Sequence, residues 1–208
     1  MEQLSHRYFV LHKPANMVSQ FISSHQVSLL GDINFVFPEG THAIGRLDNH
    51  SEGLLLLTTD KSITKKLFQG EMPHTRKYLV KVKKIITDEA IKILRNGVSI
   101  RVQGGHFYTT IPCDVELVND PTKYVTIEEE KPYQISSWIM MTLVEGKFHQ
   151  VRKMVYALGF KCLRLIRVAI EDITLENLKP GGVKELSGEE FYQLLKLKTD
   201  HIKLACIN

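Results

Sequence analysis

Long apolar runs are missing from this chain of 208 residues: the longest purely aliphatic stretch is Leu54 to Leu57, far short of the roughly 20 apolar residues that an α-helix needs to cross a bilayer. The N-terminal MEQLSHRYFV has no apolar segment behind a basic start, so neither a membrane span nor a secretion signal is expected. Cysteine is scarce. Cys113, Cys162 and Cys206 are odd in number, widely spaced and without a C-x-x-C pair, which argues against a disulfide framework or a zinc site and fits a reducing cytoplasm. No histidine stands in an H-x-x-x-H or H-E-x-x-H pair, and His42 and His50 are separated by a glycine-containing loop. No metal site is therefore expected. Internal repeats and low-complexity tracts are absent too.

Neither sign of charge dominates, the formal net charge being +4, but the distribution is uneven. Residues 61–84 carry Lys61, Lys65, Lys66, Arg76, Lys77, Lys81, Lys83 and Lys84 against Glu71 alone; residues 145–167 add Lys147, Arg152, Lys153, Lys161, Arg164 and Arg167 against Glu145. Acids gather elsewhere, notably at Glu128, Glu129 and Glu130. Folding can thus leave one basic face suited to phosphate contacts, although a charged run is by default a solvated surface. With 43% hydrophobic and 24% charged residues the composition is that of a globular chain, and one folded unit is expected.

Tyr8 to Leu11 reads as a strand that ends at His12-Lys13-Pro14. Leu54 to Thr58 has strand length without polar alternation, as in a strand covered on both faces. Asp60 can cap a short helix over 61–69. Lys77 to Lys83 alternates Tyr78, Val80 and Val82 with lysines, and Leu79 interrupts the polar side. Thr87 starts a helix that Gly97 stops, and Gly104-Gly105 suggests a hairpin between 98–102 and 106–111. Residues 121–132 look like an exposed connection. Trp138 to Val144 reads as a strand, Phe148 to Leu158 as a helix ended by Gly159, and Cys162 to Ile170 as a strand. Ser187 with Glu190 forms a capping box for a helix over 188–196. This order favours an α+β fold with a largely antiparallel sheet over a doubly wound one.

The polar segment Gly45-Arg46-Leu47-Asp48-Asn49-His50-Ser51-Glu52-Gly53 is bounded by glycines and feeds straight into the apolar strand. Such a segment suits an active-site loop and equally a simple turn. Its residues, with Leu54 to Thr58, resemble the G-R-L-D-x-x-S-E-G-L-L-L-L-T motif of the RsuA-type pseudouridine synthases. Four further blocks agree in order. His12-Lys13-Pro14 is similar to the family's N-K-P, Arg76-Lys77-Tyr78 to its K-x-Y, Glu145 to Met154 (EGKFHQVRKM) to E-G-R-N-R-Q-V-R-R-M, and Leu163 to Arg167 to L-x-R-x-R. Gln20-Phe21, Leu94 to Val98 and Ser137-Trp138 look most like the RluE branch, which acts on large-subunit ribosomal RNA. His149-Gln150-Val151-Arg152 departs from R-Q-V-R toward the H-Q-I-R of the related RluA type, and Lys153 replaces an arginine. Many relatives carry an S4-type RNA-binding module before the K-P block. Only seven residues precede Tyr8 here, so target choice is expected to rest on the catalytic domain.

The resemblance implies one catalytic domain over residues 7–200. Its first lobe spans about 7–74, with the chain returning to it after about 160, and its second spans about 75–160. The two lobes share a largely antiparallel mixed sheet with flanking helices, and the catalytic loop lies in the cleft. The implied activity is cofactor-free, metal-free isomerisation of a specific uridine in large-subunit ribosomal RNA, a stem-loop or free RNA before assembly, by a cytoplasmic monomer. Asp48 matches the catalytic carboxylate, Arg152 the arginine that pairs with it, and Tyr78 the tyrosine against the target base. Arg46 matches the residue that fills or braces the space left by an extruded uridine. Lys13, Lys77, Gln150, Lys153, Arg164 and Arg167 are the expected RNA contacts.

Overall fold

The computed structural model describes residues 6–69, 73–127 and 135–197; Glu71, Glu128, Glu129, Glu130, Pro132 and Cys206 lie outside them, as does the expected domain end at 200. In chain order the elements are β1 (Tyr8–Lys13), β2 (His42–Ile44), β3 (Glu52–Thr58), α1 (Ile63–Gln69), β4 (Arg76–Lys83), α2 (Asp88–Asn96), β5 (Ser99–Arg101), β6 (Phe107–Thr109) and β7 (Asp114–Val118). They continue with β8 (Ser136–Leu143), α3 (Gln150–Ala157), β9 (Cys162–Ile170), β10 (Ile173–Thr174), β11 (Val183–Leu186) and α4 (Gly188–Leu194).

One sheet runs β11-β1-β3-β9-β4-β8-β7, with β2 added to β3 and β10 to β9, while β5 and β6 form a separate hairpin. Every described pairing in the large sheet is antiparallel except β3 with β9, which meet in parallel at Glu52 opposite Ile166 and Gly53 opposite Arg167. The fold is α+β, as expected. The strands before residue 59 and after 162 lie on one side of the β9–β4 seam, and those between 76 and 143 on the other.

The unalternating run in β3 is buried along its whole length. Leu54 and Leu56 pack with Tyr8, Val10, Ile44 and Phe191 on one face, Leu55 and Leu57 with Phe9, Leu11, Leu30 and Leu47 on the other. Each such leucine contributes about 1.5–3 kcal/mol of burial, so the strand is a firm base for the loop that enters it. The odd Leu79 in β4 has the same cause. Val80 and Val82 join the core under α2 and α3, while Leu79 faces the opposite core beside Leu54 and Ile166.

Caps fall where the sequence places them. Thr87 Oγ1 accepts from Ala90 N at 3.2 Å and Ser187 Oγ from Glu190 N at 3.1 Å. One boundary differs in a way that matters for the site. The helix expected from Phe148 begins only at Gln150, because His149 is left-handed, with φ 55° and ψ 30°. Lys147, Phe148 and His149 therefore form a loop. Four strands escaped the sequence reading: three-residue β2, edge strand β7, whose burial does not alternate, two-residue β10 and short β11.

Candidate active site

The loop between β2 and β3 is clamped from four sides. Ser19 Oγ donates to Leu47 O and accepts from Leu47 N, both at 3.0 Å. Asn16 N donates to Asn49 O at 2.8 Å, and Ser51 N closes the turn onto Asp48 O at 3.0 Å. Lys13 Nζ donates to Pro14 O and Met17 O at 2.7 Å and reaches Asn49 O at 3.4 Å. From α3, Arg152 Nη2 donates to His50 O at 2.9 Å and Ser51 Oγ at 3.3 Å. Gly53 seals the end. Its φ is 106°, and a Cβ there would lie 2.7 Å from Arg167 N and closer still to the Arg167 carbonyl oxygen, so only glycine admits this approach of β3 to β9.

The clamped loop forms one wall of a cleft of about 630 Å³ lined by Arg46, Asp48, Arg76, Tyr78 and Arg167 on one side and by residues 143–151 on the other. That volume suits a small organic ligand such as a nucleoside. Tyr78 comes from β4, and the Asp48 carboxylate is about one-third exposed, with His149 Nε2 3.6 Å from its Oδ1. When protonated, this imidazole is an ion-pair partner for Asp48. The second wall is tied at its base by Glu145, whose carboxylate accepts from Tyr108 Oη at 2.6 Å, Gln150 Nε2 at 2.6 Å and Ile111 N at 3.1 Å. Burial pushes the Arg76 guanidinium below its ordinary value, opposed by Tyr78 and reinforced by Arg167.

Asp48, Tyr78 and Arg46 are thus brought to one cleft. The expectation that Arg152 pairs with the carboxylate is corrected: its guanidinium grips the backbone and hydroxyl two and three residues further on, while His149 occupies the place beside Asp48. Lys13 is not a surface contact for RNA, because it is fully buried with its ammonium facing carbonyls. Desolvation lowers its pKa to about 8 against the favourable charges of Glu52 and Asp48. Lys77 is exposed beside Arg95 and Glu116 rather than in the cleft, since neighbours on a strand point to opposite faces. Arg164 is held in a two-point ion pair with Glu52 at 2.5 and 3.1 Å. Gln150 is buried, and both ends of its amide fold the loop, Oε1 accepting from Lys147 N at 2.8 Å and Nε2 donating to Glu145. Arg167 lines the cleft but is 5% exposed, with Nε on Leu54 O at 2.7 Å and Nη2 buried without a hydrogen bond. Lys153 remains partly exposed.

Ser19, Arg76 and Tyr108 were not singled out from the sequence as site residues. Arg76 stood inside a recognised block, whereas Ser19 and Tyr108 lie in segments without a motif. Among the described residues, no group of three or more His, Cys, Asp or Glu side chains is placed to share a metal ion. No helix among them is long and apolar enough to cross a membrane.

Comparison with known proteins agrees with this geometry. Residues 7–157 match the family described as RNA pseudouridylate synthase. A ribosomal large subunit pseudouridine synthase E of Vibrio vulnificus (strain CMCP6) is 33% identical over 186 residues, covering 87% of this chain and 75% of that protein. A ribosomal large subunit pseudouridine synthase B of Bacillus subtilis (strain 168) is 31% identical over 198 residues, covering 95% and 75%. Among solved structures, a pseudouridylate synthase superimposes with a TM-score of 0.73 at 26% identity, covering 91% of this chain and 74% of that one. With a catalytic-type loop, a nucleoside-sized cleft and a match over most of its length, the chain belongs to the RNA pseudouridylate synthase family.

Proposed function

We propose that the chain converts one uridine of large-subunit ribosomal RNA to pseudouridine in the cytoplasm, acting as a monomer without metal or cofactor. The observation that carries the reading is Asp48, held by a clamped loop in the same cleft as Tyr78. The names of the relatives support the large-subunit target. The free thiols Cys113 and Cys162 fit a reducing compartment.

The reaction breaks the bond between uracil N1 and ribose C1′, turns the base while it stays bound, joins C5 to C1′ and removes the C5 proton. A positioned carboxylate serves this chemistry as a nucleophile or as a base for a sugar proton. Tyr78, against the base, takes the C5 proton as its own hydroxyl proton passes to water, and N1 gains a proton to complete the isomerisation. Arg46, exposed at the mouth next to Asp48, fills the stack vacated by the extruded uridine, which offsets the few kcal/mol of lost stacking. Arg152 orients the Asp48 loop through His50 and Ser51, and Lys13, Gln150 and Arg164 keep the cleft in shape. Lys153 meets phosphate. The test is conversion of large-subunit rRNA transcripts by the purified protein with no metal or nucleotide added, alongside pseudouridine mapping in cells lacking it. One site absent from those cells and restored in vitro is expected. A complete map, or transcripts left unmodified, would overturn the reading.

A further inference from the structure

We infer that Phe148 is a stacking platform for the base of the nucleotide next to the extruded uridine, and so a determinant of which RNA the cleft accepts. The inference rests on the pseudouridine synthase reading of the cleft.

Phe148 lines the catalytic cleft yet is 68% exposed, and it belongs to none of the three hydrophobic core clusters. Packing does not account for it. Its backbone is set by the Glu145–Gln150 ties on one side and the left-handed His149 on the other. The ring is oriented as well. The His149 imidazole stacks on it at 3.9 Å between centroids and 17° between planes, and Lys153 Nζ lies 5.4 Å from its centroid. A two-ring stack on a rigid turn, with an ammonium beside it, matches what one nucleotide offers: a base for the ring face and a phosphate for the lysine. The lone lysine–ring contact is weak at an exposed site, so a nucleobase can displace it and send the ammonium to the phosphate. His149 also touches Asp48, so the platform is continuous with the reacting group and places the neighbouring base within one nucleotide of it.

The test compares Phe148→Ala, Phe148→Leu and Phe148→Trp with the parent on large-subunit rRNA transcripts at fixed salt. Dissociation constants and single-turnover rates at saturating RNA are measured separately. Base–aromatic stacking of about 1–3 kcal/mol corresponds to an expected weakening of roughly tenfold in Kd for Phe148→Ala, with the saturating rate within about twofold of the parent. Phe148→Leu should stay weak. Phe148→Trp should restore binding, and RNA should quench its fluorescence beyond the change seen in the parent, which carries only Trp138. Parent-like binding by Phe148→Ala, equal rescue by Leu and Trp, or a loss confined to the rate would each overturn the platform. Binding is read independently of conversion. A parent that binds RNA but makes no pseudouridine therefore sinks the enzymatic reading while leaving the stacking result legible, and a parent that binds no RNA overturns both.

Discussion

The two walls of the cleft are built on opposite plans. On the Asp48 side, residues 45–53 are held by Ser19, Lys13, Asn16 and Arg152 and merge into a strand buried on both faces. On the facing side only the base is tied, through Glu145 and Gln150, and Lys147 and Phe148 project into solvent beyond it, with His149 half-buried behind. The first wall over-determines one carboxylate, as a reaction needs that depends on sub-ångström placement. The second presents an aromatic, a lysine and an imidazole on a short turn, as a surface needs that reads a partner. On the proposed reading, chemistry sits on the fixed wall and recognition on the open one.

That division can be broken from the fixed side first. Gly53→Ala puts a methyl group into the Arg167 backbone, so it should cost about 3 kcal/mol or more and remove activity, read by thermal melting and conversion. A variant that melts with the parent would show that the β3–β9 seam is looser than described. Arg152→Ala should come next. Loss of the bonds to His50 and Ser51 releases the loop, and the single-turnover rate should fall on the order of 10–100-fold with RNA affinity little changed. Lys153→Ala should do the reverse, weakening binding a few-fold at an unchanged rate, and a swap of these two outcomes would dissolve the contrast between the walls.

The last expected effect is one of pH. Burial lowers Lys13 from 10.5 to about 8 in the folded chain, so folding disfavours its charged form. The penalty is complete below about pH 8 and fades as pH rises toward 10.5. Relative to Lys13→Met, the parent should gain stability across that window, by on the order of 2–3 kcal/mol. Chemical denaturation at a series of pH values would show it, and a flat difference would mean that the carbonyl cage cancels the desolvation.

Much of the fixed wall was legible in the sequence because local pattern dictates it. The unalternating leucines of β3 are a short-range signal with one physical reading, as are the Thr87 and Ser187 caps elsewhere in the fold, whereas the glycine-bounded loop was separated from a simple turn only by its family motif. The open wall was less legible. A helix pattern starting at Phe148 gave no sign that His149 would turn left-handed, since that depends on the tie from Lys147 N to Gln150. The basic residues were the hardest to place. A lysine or arginine looks the same in sequence whether it faces phosphate, as expected of Lys13 and Arg164, or a carbonyl cage and a buried glutamate, as found. Lys77 was read from its block, yet strand alternation alone sends it away from Tyr78.

The claim that the fixed wall exists to aim one carboxylate is tested most directly by Asp48→Asn, which keeps shape and hydrogen-bonding capacity but removes the negative charge. Single-turnover conversion of large-subunit rRNA transcripts is to be measured with RNA affinity at the same salt, and with Asp48→Ala to exclude deamidation. The expected result is parent-like affinity and no pseudouridine. Conversion at the parent rate by both variants would contradict the assignment of the chemistry to Asp48.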